Sequence, residues 1–170
     1  YTLGDASDDL QGFARYLASF FRQPASPRPA NASAAAPVAP VDRYAPDMHR
    51  PLLERLAGEY QIPTALADSW VMKESSWNPH SRGRSGEYGL TQIMPYLVKR
   101  YGIQQTPLDP EANLRAGLSH LSGLLKEYKG DVPRALAAYN VGQRGEREGR
   151  PRGKAYAEAI LGLQKKKYGQ

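Results

Sequence analysis

One run, WVMKESSWNPHSRGRSGEYGLTQIMP from Trp70 to Pro95, limits what this chain can become more than any other. It begins on a helix: Leu66, Trp70 and Val71 fall on one face at i, i+4, i+5 spacing, and Glu74 follows on that face. Asn78-Pro79 then breaks the pattern, and Gly83, Gly86 and Gly89 loosen what comes next. Order returns at Leu90-Thr91-Gln92-Ile93, and Pro95 opens another helix. The pattern predicts one carboxylate at the end of an apolar helix face, with a polar, glycine-rich loop folded near it. Desolvation against Trp70 and Val71 raises the pKa of such a glutamate. A glutamate that keeps its proton near neutral pH suits acid chemistry on a glycosidic oxygen. The plainer alternative is a solvated side chain that merely ends a helix, as most glutamates are.

The 170 residues suit one domain with an extension. With no cysteine there is neither a disulfide framework nor a thiolate zinc site. His49, His80 and His120 lack metal-ligand spacing and read as surface or loop histidines. No metal and no cofactor are expected. A net charge of +6 suggests an anionic partner: nucleic acid, an acidic membrane or an acidic cell-wall polymer. The bland reading is a merely soluble basic protein. No nucleic-acid motif accompanies the charge, and no apolar run is long enough to cross a bilayer. The start at Tyr1, without a basic-then-apolar leader, reads as a processed form, a fragment or a protein exported by another route.

Residues 5–22 read as an amphipathic helix, capped by Ser7 or Asp8, with Leu10, Phe13, Ala14, Leu17, Phe20 and Phe21 on one side. That face needs cover, from the rest of the chain or from a partner. Residues 23–46 change character to QPASPRPANASAAAPVAPVDRYAP, a semi-rigid Pro/Ala-rich linker. From Met48 onward the pattern is helical. Pro51 marks a helix start ahead of the stripe Leu52, Leu53, Leu56 and Ala57, and Pro63 opens the helix that carries Glu74. Asp109-Pro110 and Asp131 begin the next two long helices, and Gly130 ends the first of them. Residues 142–151 read as a charged loop, and a final helix covers roughly 152–167. The segment from Arg82 to Gln92 has room for a short irregular hairpin.

Four separated blocks carry a resemblance: Glu74-Ser75, Asn78-Pro79, Gly89-Leu90-Thr91-Gln92-Ile93-Met94-Pro95, and Ala138-Tyr139-Asn140 with Gly142. In this order and spacing they are similar to lytic transglycosylases related to the soluble Slt type, from about Met48 to the C-terminus. The resemblance implies a mainly α fold. The expected organisation is a lysozyme-like catalytic domain over 48–170, preceded by the amphipathic helix (1–22) and the linker (23–47). It implies Glu74 as the catalytic acid that also serves as base, and Ser85, Gln92, Tyr139, Asn140 and Tyr156 as substrate-binding residues. Where many relatives carry a serine, this chain has Gly83. The implied substrate is peptidoglycan, cut without water to leave 1,6-anhydro ends. A hydrolytic muramidase and a catalytically silent glycan-binding module are the alternatives. The implied place of action is the periplasm or the cell wall. Residues 1–47 suggest a protein partner, such as a phage particle or a secretion or flagellar apparatus.

Two further acids lie nearby. Asp68, six residues before Glu74 and so about 600° round the helix, reads as solvated. Glu87 reads as a rim residue of the cleft. Trp77, Tyr88 and Tyr96 are aromatic candidates either for the core or for sugar contact.

Overall fold

The computed structural model describes residues 46–169. The expected helix over 5–22 and the linker up to residue 45 lie outside the described residues. Six helices follow: α1 (Pro46–Glu59), α2 (Thr64–Ser75), α3 (Pro95–Arg100), α4 (Pro110–Glu127), α5 (Val132–Arg147) and α6 (Pro151–Tyr168). Helix α1 begins before the expected boundary at Met48, and Pro51 lies inside it rather than at its start.

The caps act as the sequence suggests. The Asp109 carboxylate accepts from the Ala112 N–H at the start of α4, and Asp131 accepts from Arg134 N–H at the start of α5. Helix α5 runs further than expected. Gly142, at φ 75° and ψ 160°, interrupts the helical backbone as expected, but a second helical stretch follows it, so the anticipated loop over 142–151 is helical as far as Arg147. Five helices form a closed ring of neighbours: α1 against α2, α2 against α6, α6 against α5, α5 against α4, and α4 back against α1.

Helix α2 departs most from the sequence pattern. Leu66, Ala67, Asp68, Ser69, Trp70 and Val71 are buried in unbroken succession, so the helix has no solvent face over this span. Leu53, Leu56, Ala57, Leu114, Leu118, Leu121, Leu136, Tyr156 and Ile160 enclose it in one core. The reading of Asp68 as solvated is therefore wrong. It does point away from Glu74, but every direction away from this helix is interior. Its side chain is 2% exposed and bonds Arg50 Nε at 3.0 Å and Lys167 Nζ at 2.7 Å. The two cations, from α1 and from the end of α6, hold its pKa below the ordinary value against the opposing effect of burial.

Two of the three histidines also depart from the expectation. His80 is exposed, but His49 is buried on α1 and His120 is half-buried on α4. Both occupy the inward side of an amphipathic helix, a placement that lone-residue reasoning does not reveal.

Helix α2 ends abruptly. Ser76 and Trp77 adopt left-handed backbone at φ 50° and 65°, and the Ser76 N–H closes on the Met72 carbonyl at 3.0 Å. This turn drives Trp77 into the core at 1% exposure, which settles it as a packing residue. The chain then runs through a loop with two antiparallel bridges, Arg82 to Tyr88 and Tyr88 to Ile93. A second small core of Ile93, Leu97, Val98 and Ala116 lies beneath it.

Candidate active site

Glu74 sits in the last turn of α2, next to the core built on Trp70 and Val71. Burial pushes its pKa up to about 7. Weaker influences oppose burial: a hydrogen bond from Tyr156 and the Lys73 charge, while the Glu87 charge adds to the rise. The Tyr156 hydroxyl, from α6, donates a short hydrogen bond to Glu74 Oε1. The Trp70 indole N–H is buried without a partner of ordinary hydrogen-bond geometry, yet it too favours the charged form. Burial, and then the Glu74 charge, raise the pKa of both Tyr156 and Tyr139 well above the usual value, so both remain hydroxyl donors.

The carboxyl opens onto a cleft of about 590 Å³. The loop contributes Gly83, Arg84, Ser85, Glu87 and Gln92 to its wall, and α3 contributes Tyr96 and Leu97. Helix α4 contributes His120, α5 contributes Tyr139 and Asn140, and α6 contributes Arg152. Tyr139 links cleft to core: its ring meets Trp70 edge-on at 5.1 Å, and its hydroxyl donates to the Thr91 carbonyl at 2.9 Å. His120 lies 5.4 Å from the same ring. Burial, then the Arg100 charge, lowers its pKa to about 4, so it is a neutral imidazole at physiological pH.

The loop is tied down by Asn113, a fully buried residue of α4. Its Oδ1 accepts from the Thr91 N–H and the Thr91 hydroxyl, both at 2.9 Å. Its Nδ2 donates to the Tyr88 and Pro107 carbonyls, both at 2.9 Å. The fit leaves room for glycine alone at two points. A Cβ on Gly89 would meet Asn113 Nδ2 at 2.6 Å, and one on Gly117 would meet Thr91 side-chain atoms at 2.5 Å. At the rim, Glu87 Oε2 accepts from the Ser85 N–H at 2.9 Å and covers Gly83, where a Cβ would lie 2.0 Å from that oxygen.

The transglycosylase SLT domain matches residues 52–160, which hold the whole of this cleft. The chain belongs to the transglycosylase SLT domain family. Among relatives, it is 33% identical over 102 residues to membrane-bound lytic murein transglycosylase F of Pseudoalteromonas translucida (strain TAC 125), covering 55% of this chain and 21% of that protein. It is 36% identical over 76 residues to the protein of the same name from Shewanella loihica, covering 41% and 16%. The chain thus spans about a fifth of the length of these relatives. Among solved structures, the lytic transglycosylase Slt of Pseudomonas aeruginosa, in an inactive mutant form, is similar with a TM-score of 0.62 at 23% identity, covering 68% of this chain and 23% of that one. The 70-kDa soluble lytic transglycosylase of Escherichia coli gives 0.61 at 25%, with the same coverages. The described residues thus share the lysozyme-like fold of the Slt enzymes.

The SLT domain gathers most of the residues singled out in the sequence. Glu74, Ser85, Gln92, Tyr139 and Asn140 line one cleft. Gln92 Nε2 also donates to the Gly89 carbonyl at 2.9 Å, so its amide fixes the loop as well as facing the cleft. Asn140 Oδ1 is buried without a partner. Tyr156 stands apart from the lining and meets Glu74 from α6. Tyr96 is 61% exposed at the cleft wall, and Tyr88 lies beneath the Arg82 guanidinium at 4.5 Å. Sequence reasoning missed Asn113, His120, Arg84 and Arg152. Asn113 left one signal, a polar residue beside Leu114 on the apolar stripe of α4 and four positions ahead of Gly117.

Proposed function

We propose that this SLT domain cleaves the glycan strands of peptidoglycan as a lytic transglycosylase, with Glu74 as its one proton-transfer residue. The observation that carries this reading is a buried carboxyl, with a pKa of about 7, opening onto a polar cleft. The names of its relatives, lytic murein transglycosylases, and of a similar solved structure, a soluble lytic transglycosylase, point the same way.

Protonated Glu74 gives its proton to the oxygen between N-acetylmuramic acid and N-acetylglucosamine as the C1–O bond breaks. The muramic N-acetyl oxygen bonds to C1 and takes up the developing charge, as in substrate-assisted glycosidases. The C6 hydroxyl then attacks C1, displaces that oxygen and returns a proton to Glu74. No water is consumed, and the enzyme regains its starting state. Tyr156 supports the carboxylate during the interval in which it is ionised. Asn140 lines the cleft beside Tyr139, and its amide suits an N-acetyl group or a sugar hydroxyl. Ser85, Gln92 and Tyr139 complete the sugar contacts.

A second reading, hydrolysis by a muramidase, is favoured by the Glu87 carboxylate at the cleft rim. Mass spectrometry of digested murein separates the two: anhydro ends for the first, reducing ends for the second. Loss of all products in Glu74→Gln, with the fold intact by circular dichroism, is expected on either reading. Murein lysis retained by that variant would remove both. We further propose action in the periplasm or at the wall, with residues 1–47 docking the enzyme on a larger assembly. Among the described residues no helix is long and apolar enough to cross a membrane.

A further inference from the structure

Two guanidinium groups line the cleft and have no carboxylate partner among the described residues. Arg84 comes from the loop after α2, and Arg152 is the second residue of α6; both side chains are exposed. Arg82, Arg100 and Arg147 also lack an ion pair among the described residues, but they do not line the cleft, and the remaining arginines find an acid. Arg55, Arg115, Arg134, Arg144 and Arg150 each meet a glutamate within 3.2 Å. Two carboxyls line the same cleft as Arg84 and Arg152, yet neither is paired with them. Glu74 takes the Tyr156 hydroxyl, and Glu87 takes the Ser85 N–H.

Both guanidiniums stand on fixed backbone. Arg84 lies inside the turn closed by the Gly83 N–H to the Glu87 carbonyl at 3.0 Å and by the Gly86 N–H to the Gly83 carbonyl at 3.1 Å. Arg152 precedes Gly153, where a Cβ would meet Val141 Cγ2 at 2.9 Å, so the start of α6 is held close against α5. The start of a long helix adds positive potential of its own. A guanidinium placed this way presents a donor fork that matches carboxylate geometry. The sugar backbone of murein is uncharged; its carboxylates hang from the lactyl group of muramic acid, beside the bond to be cut.

We propose that Arg84 and Arg152 make this cleft selective for glycan strands whose muramic acid substituents carry free carboxylates. The selectivity rests on the proposed function, and its test is chosen to stand apart from cleavage. Fluorescently labelled murein strands are titrated by anisotropy into the Glu74→Gln chain. Three strand preparations are compared: intact stems, stems with their carboxyls converted to primary amides, and strands stripped of stems, which expose the lactyl carboxylate.

Amide conversion should weaken binding about ten-fold, as two partly exposed ion pairs allow. With Arg84→Ala and Arg152→Ala added, the difference should fall below about two-fold, and lysine at both positions should restore part of it. Tight binding of stripped strands would assign recognition to the lactyl carboxylate; weak binding would assign it to the stem. Equal affinity for intact and amidated strands overturns the proposal, while cleavage by the Glu74 chain would still support the lytic function. A binding difference without cleavage by that chain would overturn the function and leave the selectivity standing.

Discussion

At Glu74 a hydrophobic environment and a hydrogen bond act in opposite senses, and the balance decides how firmly the carboxyl holds its proton. Burial holds the proton on, and the Tyr156 hydroxyl draws it off. Since the proposed reaction starts from the acid form, activity should decline as pH rises through about 7. Tyr156→Phe removes support for the charged form, so the alkaline limb should move upward by about half to one pH unit. Glu87→Gln removes a neighbouring negative charge, so the limb should move downward, while the amide oxygen can still accept from Ser85 N–H. Initial rates of murein solubilisation from pH 5 to pH 9 test both, and shifts in the same direction would refute this account. Glu74 was legible in the sequence because it follows Trp70 and Val71 on an apolar face and because the blocks around it resemble those of the Slt enzymes. The placement of Arg84 and Arg152 in the cleft was not, because an exposed arginine in a loop or at a helix start has no distinguishing pattern.

The elements matter through how closely they approach. The loop that forms one wall of the cleft has only two bridges and a few turn bonds of its own, and α4 ties it to the helices through Asn113. Asn113→Ala would strand the Tyr88 and Pro107 carbonyls and the Thr91 N–H in the interior. A loss of about 2–4 kcal/mol by urea denaturation is expected, with faster amide exchange over 88–93. Unchanged exchange there would mean that the loop is ordered by other contacts. The helices and their caps were readable because Asp109, Asp131 and the prolines act locally. Asn113 serves the loop across more than twenty positions of sequence, so its importance emerges only when α4 and the loop meet. Gly142 shows the converse: the local break was readable, but the helical stretch that resumes beyond it was not.

At the scale of the molecule, Asp68 is the polar centre of an otherwise apolar arrangement, and it joins α1, α2 and α6. Its pKa lies below the ordinary value near 3.8, so the folded state favours the carboxylate. The stability it contributes is therefore present above about pH 4 and lost as pH falls through the lowered value. Asp68→Ala should cost about 1–3 kcal/mol at pH 7, less than for a fully enclosed pair because Arg50 and Lys167 keep some contact with water. The penalty should shrink below pH 3, and thermal melts at both pH values measure it. A helical wheel cannot expose such a residue, because it separates one face from another without telling which face meets water.

Helix α6 is pinned to α2 twice, by Tyr156 on Glu74 and by Lys167 on Asp68. Removing the tail after Leu163 would delete the second pin, while every residue that lines the cleft stays in place. The shortened enzyme should nonetheless melt earlier and dissolve murein more slowly, since the hydroxyl that steadies the acid sits on a helix with one end cast loose.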